Sequence, residues 1–280
     1  MELTFSKYQA LGNSFIVLDD IQASGSSSKF QRLAIDICDP ANGVGADGLL
    51  VISKEKELHR VDIYNADGSW AEKSGNGIRI AGMYLLNQGC LSGRAATLLT
   101  GSGPSKITFH GGNTARRTIS ASLGKPVFET EQIPVKSAER YFINQSIRCG
   151  QETLIASAVS IGNPHLILFC DDFDFDWETI GALLESDPLF PRRINVGFVT
   201  VKSEDEIEVR DWERGVGPTL SSGTGAAAAV VISVFRGFTA REVSVRTLAG
   251  VLHVQWSAAD DELIIKGPVE FICGGRFQHK

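Results

Sequence analysis

Two stretches of the chain carry the same device about half a chain apart. Ser74-Gly75-Asn76-Gly77 leads into the apolar run Ile78 to Leu86 and stops at Gly89. Ser222-Gly223-Thr224-Gly225 leads into Ala226 to Phe235 and stops at Gly237. Each predicts a Gly-rich turn opening a helix, with Ser at its lip and a glycine past its end. Both helices, Gly75 to Gln88 and Gly223 to Phe235, are apolar on most sides, and such helices are buried. Two buried helices call for two shells of structure around them. Glycine amides at a helix N-terminus also bind anions, so two such ends suit one small acid held between them.

The repeat extends on both sides of these turns. Gly12-Asn13 opens an apolar run ending in Asp19-Asp20, and Gly162-Asn163 opens another ending in Asp171-Asp172. Val44-Gly45 before Leu49 to Ile52 is read as the match of Val196-Gly197 before Phe198-Val199. Val61 to Asn65 alternates as a strand does, and Val209 to Glu213 follows the same register. Asn65 and Glu213 each lie nine residues before their serine. Thr100-Gly101-Ser102-Gly103 and Thr247-Leu248-Ala249-Gly250 then each open a further strand pattern. Six features in one shared order predict duplication. The expected fold is α+β, with two pseudo-symmetric domains, each a curved, mostly antiparallel sheet wrapped around its central helix. Ligand sites favour domain interfaces, which puts the active site in the interdomain cleft.

The expected domains are 1–127 and 128–268, with the tail 269–280 packing back onto the first. Gly124 to Lys136 reads as the linker, and Ser24 to Ser28 as an exposed loop. Strand signals also cover Lys106 to Phe109, Arg117 to Ala121, Val243 to Val245 and Leu263 to Ile265. A net charge of −6 argues against a nucleic-acid partner. No apolar run is long enough to span a bilayer, and the first residues lack the plan of a signal peptide. Five cysteines without close pairs fit a reducing cytoplasm rather than a disulfide framework or a zinc site. No metal and no cofactor is expected.

An amino acid held by its α-carboxylate between two helix ends gains from both dipoles. The same positive potential stabilises the carbanion left when the α-proton departs. Two side chains on opposite faces of that carbon can remove and return the proton, one as base and one as acid. That is racemisation without a cofactor.

The chain resembles the diaminopimelate epimerases, a family of cofactor-independent amino-acid racemases. The resemblance rests on Lys7 to Phe15, Gly43 to Gly48, Asn65 to Ser69, Ser74 to Arg79, Gly162-Asn163-Pro164-His165, Asn195-Val196, Glu213-Arg214-Gly215, Ser222 to Gly225 and Gly267-Pro268. It implies distal substrate contacts at Asn13, Asn65, Asn163, Asn195 and Arg214, with Glu213 nearby. It implies carboxylate-binding amides at Gly75, Asn76, Gly223 and Thr224. These residue types suit a diamino diacid. Arg214 can fork onto a second carboxylate, and Asn side chains offer donors and acceptors to a zwitterion. His165, following Pro164, is read as orienting its loop rather than ligating or catalysing. A homodimer is implied by the resemblance alone; the resemblance also implies a place in lysine and cell-wall precursor synthesis and agrees with the cytoplasmic setting read from the cysteines.

The chain departs from the family at the reacting positions. Where the family carries two catalytic cysteines, this sequence has Ser74 and Ser222. Pro218 replaces a usual Glu, Ser14 stands where Asp is common, and Lys73 and Leu220-Ser221 also differ. A cysteine at a helix end ionises readily, whereas a hydroxyl starts far above cysteine's reference pKa of about 8.5. Three readings of the serines stand open. They are substitutions that trap a substrate complex, or a natural variation running slower or different α-proton chemistry, elimination included, or the mark of an amino-acid-binding protein without turnover. The expected acid/base set is Ser74, Ser222 and Glu213. The phenazine-type isomerases share the fold without paired thiols and use a carboxylate base, for which Glu213 is the nearest candidate.

Overall fold

The computed structural model describes residues 2–19 and 27–279. Within the Ser24 to Ser28 stretch, Ser24 to Ser26 lie outside the described residues, and Ser27 opens a helix rather than a loop. The chain divides into two compact units, residues 1–122 with 266–280 and residues 123–265.

The first unit runs β1 (Glu2–Ala10), β2 (Asn13–Asp19), α1 (Ser27–Cys38), β3 (Gly48–Glu55), β4 (Leu58–Asn65), β5 (Trp70–Ala71), α2 (Gly75–Asn87), β6 (Ala95–Thr100), β7 (Gly103–Gly112) and β8 (Arg116–Gly124). β1 pairs antiparallel with β2, β2 parallel with β3, β3 antiparallel with β4, and β4 parallel with β6. The second unit repeats this plan after an added strand, β9 (Gln145–Cys149). It continues β10 (Glu152–Ser160), β11 (Pro164–Phe169), α3 (Trp177–Glu185), β12 (Asn195–Ser203), β13 (Glu206–Glu213), β14 (Gly217–Thr219), α4 (Gly223–Phe235), β15 (Glu242–Thr247), β16 (Gly250–Trp256) and β17 (Leu263–Gln278). The senses recur in order: β10 antiparallel to β11, β11 parallel to β12, β12 antiparallel to β13, β13 parallel to β15. The far end of β17, from Glu270 to Gln278, pairs antiparallel with β1.

Each sheet is built on a central helix, as the sequence predicts. In α2, Ile78, Ile80, Ala81, Met83 and Leu85 are all buried, and in α4 every residue from Gly223 to Ser233 is buried. Burial of each large aliphatic side chain stabilises by roughly 1.5–3 kcal/mol. The turns that open the two halves match in detail. Gly12 and Gly162 both take positive φ, 80° and 89°, where a side chain would be strained. Thr100 Oγ1 donates to Gly103 O at 2.8 Å, and Thr247 Oγ1 to Gly250 O at 3.0 Å, closing the β6–β7 and β15–β16 turns alike.

Two expectations need correction, and two helices go unread in the sequence. Val44-Gly45 is not the counterpart of Val196-Gly197. Val44 and Gly45 sit in a turn whose amides donate to Ile37 O, whereas Val196 and Gly197 lie inside β12. Strand register instead sets Gly48, paired with Asn65 and Phe15, against Asn195, paired with His165. The stretch from Gly124 to Lys136, read as the linker, belongs to the second unit: Val127 bridges Ser160, and Ile133 and Val135 are buried in that unit's core. The amphipathic helices α1 and α3 were not read from the sequence at all. α1 buries Phe30, Leu33, Ala34, Ile37 and Cys38, a helical period hidden behind a serine run.

Candidate active site

Each unit carries a half-site built around the N-terminus of its central helix. In the first, Ser74 is the N-cap of α2, and its Oγ accepts a hydrogen bond from Gly77 N at 3.0 Å. In the second, Ser222 caps α4, and its Oγ accepts from Gly225 N at 3.2 Å. The reactive-position serines therefore sit on equivalent helix ends. α-Helix geometry leaves the first-turn amides without an intrahelical acceptor, and Gly75, Asn76, Gly223 and Thr224 supply those amides.

An asparagine from the opening turn braces each end. Asn76 Nδ2 donates to Asn13 Oδ1 at 3.3 Å. Asn163 Nδ2 donates to Thr224 Oγ1 at 3.3 Å. Beyond these braces the half-sites differ. Below α2 the fully buried Arg79 donates from Nη2 to Asn76 Oδ1 at 2.5 Å and from Nε to Gly75 O at 3.2 Å. Its Nη1 has no hydrogen-bond partner among the described residues. Burial pulls the guanidinium down to about 10, so it stays charged at neutral pH. Below α4 the brace is backed by His165, whose Nε2 lies 2.9 Å from Asn163 Oδ1. Since Asn163 donates through its nitrogen, its oxygen accepts and His165 Nε2 carries the proton. Burial, with Arg214 nearby, lowers the His165 pKa to about 3, and the ring is neutral. Its place is thus behind Asn163, orienting the turn.

The remaining expected residues lie at strand ends: Asn65 closes β4, Asn195 opens β12, and Glu213 closes β13 with Arg214 just beyond it. Asn65 closes its own turn, donating from Nδ2 to Ser69 Oγ at 2.9 Å. In the second unit Asn195 is held at both ends of its amide. It donates to Pro164 O at 2.7 Å and accepts from Arg214 N at 3.0 Å. Arg214 also donates from Nη1 to Arg192 O at 3.1 Å. Glu213 accepts from Thr219 Oγ1 at 2.9 Å. Asn163, Asn195, Glu213, Arg214, Ser222, Gly223 and Thr224 thus belong to one half-site, and Asn13, Asn65, Ser74, Gly75 and Asn76 to the other.

Three residues here escaped the sequence reading. Arg79 lay inside a quoted motif but looked like an ordinary helix residue. Glu185, buried at the end of α3, accepts from Trp212 Nε1 and Gly215 N, both at 2.8 Å, and ties down the Glu213-Arg214-Gly215 turn. Asp211 is only 5% exposed and lies on β13 against the first turn of α4. Its signal was available: strand alternation puts Asp211 on the same face as buried Val209, where a carboxylate is unexpected. Among the described residues no group of three or more His, Cys, Asp or Glu is placed to hold a metal ion. All five cysteines are free thiols, and none lies at a helix cap. Among the described residues no helix is long and apolar enough to cross a membrane.

Chemically, two Ser-capped helix ends offer amide donors to a carboxylate and hydroxyls beside it. Comparison with known proteins points the same way. The family model for diaminopimelate epimerase matches residues 5–129 and 157–272. The diaminopimelate epimerase of Caldanaerobacter subterraneus subsp. tengcongensis is 37% identical over 278 residues, covering 99% of this chain and 100% of that one. That of Pelotomaculum thermopropionicum is 36% identical, covering 99% of each. The fold is shared with a hydroxyproline epimerase from Agrobacterium vitis, at TM-score 0.74 and 12% identity over 98% of this chain and 90% of that one. It is shared too with a Bacillus anthracis phenazine biosynthesis protein of the PhzF family, at TM-score 0.70 and 14% identity over the whole of both chains. On the family match and the full-length likeness to these relatives, the chain belongs to the diaminopimelate epimerase family.

Proposed function

We propose that the chain is a cofactor-independent isomerase that inverts the α-carbon of LL-diaminopimelate to give the meso form. The observation that carries this reading is the pair of Ser-capped, Asn-braced helix ends in a chain so similar to diaminopimelate epimerases over its whole length. The amides of Gly75, Asn76, Gly223 and Thr224 take the α-carboxylate, and their dipoles favour the carbanion. Ser74 and Ser222 address the two faces of the reacting carbon. Asn13, Asn65, Asn163, Asn195, Glu213 and Arg214 form or hold the pocket for the distal ammonium and carboxylate.

Hydroxyls give up protons far less readily than the thiols expected there, so turnover is slow. The free thiols support a reducing, cytoplasmic setting, and family membership supports a homodimer and a role in lysine synthesis. Proton NMR in deuterated water with LL-diaminopimelate tests the reading, run beside a Ser74→Cys, Ser222→Cys variant. Loss of the α-proton signal is expected from both, and faster from the thiol variant. If neither exchanges and calorimetry detects no binding, the substrate is a different one.

A further inference from the structure

A buried carboxyl stands beside the Ser222 side chain, and the Ser74 end has none at the equivalent position. β13 aims Asp211 at the first turn of α4. Its Oδ1 lies 2.2 Å from the point where a Cβ on Gly225 would sit, and the Ser222 Cβ lies 3.0 Å from the same point. The carboxyl and the Ser222 side chain therefore share one small space, open only because residue 225 is glycine. The Ser222 backbone N–H also hydrogen-bonds to the Asp211 carboxyl. In the first unit, eleven residues before Ser74, the counterpart is Ile63, buried and apolar. The register agrees: Ile63 pairs with Ala71 and Asp211 with Thr219, each partner three residues before its serine. Below the α2 end the buried charge is cationic Arg79, whereas below α4 the matching position is Ala227.

We propose that Asp211 is the proton-accepting and proton-donating partner of Ser222, so that the second half-site is the competent side for α-proton transfer. The proposal rests on the diaminopimelate reading above. As base, Ser222 Oγ takes the α-proton while its own proton passes to an Asp211 carboxylate oxygen, and the C–H electron pair stays on the substrate as a carbanion. In reverse, the Asp211 carboxylic acid returns a proton to Ser222 Oγ as the hydroxyl proton goes to carbon. No other reactant is needed, and each transfer leaves the hydroxyl as it began. Burial, with Glu213 on the same strand, holds the Asp211 carboxyl well above the usual carboxylate range, and the Ser222 N–H offsets this in part. A carboxyl so raised is a stronger base when ionised and still a donor near neutral pH. Asp211 is thus a positioning residue that acts through Ser222. With Ile63 behind it, Ser74 has no such relay, and the two faces of the substrate differ in rate.

The test is α-proton exchange in deuterated water on the LL and meso substrates, with Asp211→Asn made in native and Ser222→Cys backgrounds. Asparagine keeps the shape and can still accept from Ser222 N, but it carries no exchangeable acid proton. The native chain should exchange one epimer about tenfold or more faster than the other. Asp211→Asn should lower kcat on that face by about 100-fold or more with KM little changed. A thiol titrates by itself, so in the Ser222→Cys background the same change should move kcat by less than about twofold. An equal loss in both backgrounds marks a purely structural role and overturns the proposal, as does near-native exchange by Asp211→Asn. A silent native chain beside an exchanging Ser74→Cys, Ser222→Cys variant overturns it while leaving the diaminopimelate reading intact. Silence from both, without binding, overturns both.

Discussion

The α2 and α4 ends share a backbone and differ in charge. Both are capped by serine and braced by asparagine from the preceding turn. Yet Phe15, Ile63 and Arg79 in one unit stand where His165, Asp211 and Ala227 stand in the other. The first unit reinforces the positive helix end with a buried guanidinium. The second sets a buried carboxyl and a neutral imidazole around the same kind of end. Duplication preserved what the backbone needs, namely caps, turns and strand register, because those follow from hydrogen-bond geometry common to both copies. The buried polar groups answer only to local packing and chemistry, and they diverged.

The largest test of this contrast is steric. A Cβ on Gly225 meets Asp211 Oδ1 at 2.2 Å, whereas one on Gly77 meets nothing nearer than the Leu50 Cδ2 methyl at 3.1 Å, with Ser74 Cβ at 3.3 Å and Oγ at 3.4 Å. Gly225→Ala should destabilise by about 3 kcal/mol through overpacking. Gly77→Ala should stay within about 1 kcal/mol, since alanine's helix preference offsets a tight fit. Asp211→Ala should recover most of the Gly225→Ala loss. Thermal melts of the four variants decide, and equal effects at the two glycines would break the comparison.

The second test is acid stability. His165 has a pKa lowered to about 3, so between that value and its ordinary 6.5 the unfolded chain binds a proton that the native chain does not. Stability present above about 6.5 is therefore lost as pH falls, by about 3 kcal/mol at pH 4. His165→Gln still donates to Asn163 and does not titrate, so its unfolding curve should flatten across that window. Asp211 has the opposite sign. Its raised pKa means the native chain holds a proton the unfolded chain has released, and stability falls as pH rises above about 4. Urea unfolding between pH 4 and 7 with His165→Gln and Asp211→Asn separates the two slopes. In the first unit Phe15 and Ile63 titrate nowhere.

Much of this was legible in the sequence, and the boundary is instructive. Both central helices, their caps and the Gly12 and Gly162 turns announce themselves through glycine, serine and apolar runs, which are local signals. The likeness of the two halves then gave the α+β, two-domain plan. The Val44-Gly45 match failed because a Val-Gly pair recurs by composition, while equivalence is set by long-range pairing of Gly48 with Asn65. α1 and α3 were missed because their periods are short and mixed with polar residues. Arg79, Asp211 and Glu185 become interesting only once burial is known, and burial of a charged side chain is a tertiary fact. Asp211 came nearest to being readable, since alternation along β13 turns it inward.

A third test concerns binding. Arg79 stays charged, and its guanidinium supports both the Asn76 side chain and the α2 end. Arg79→Met should weaken diaminopimelate binding by about tenfold, or about 1.4 kcal/mol. Fold stability should change little or rise, because a buried charge with one nitrogen unpartnered among the described residues contributes weakly to folding. Calorimetric titration beside a melt separates these outcomes. Unchanged affinity would mean that the α2 end binds its anion through amides alone, and the electrical contrast between the units would lose its functional meaning.

The smallest expected effect lies in how the two turns are held. The turn after β4 is closed mainly from within: Asn65 Nδ2 donates to Ser69 Oγ, and Ser69 N donates to Asp67 Oδ1 at 2.8 Å, with one outside backbone tie from Ala66 N to Asp47 O at 3.2 Å. The turn after β13 is held from outside, by Glu185 on Trp212 Nε1 and Gly215 N and by Asn195 on Arg214 N. Glu185→Gln leaves one acceptor oxygen for two part-buried donors, which costs about 1 kcal/mol. Because that turn carries Arg214, the variant should also raise KM for a diamino diacid while leaving kcat near native. Ser69→Ala removes a single exposed bond and should cost about 0.5 kcal/mol, with no change at the second half-site. A turn held from a distance couples recognition to the packing of α3, and one closed from within does not. If Glu185→Gln lowers kcat rather than raising KM, the Glu213-Arg214 turn bears on proton transfer itself, and Glu213 joins Asp211 as a group to be tested there.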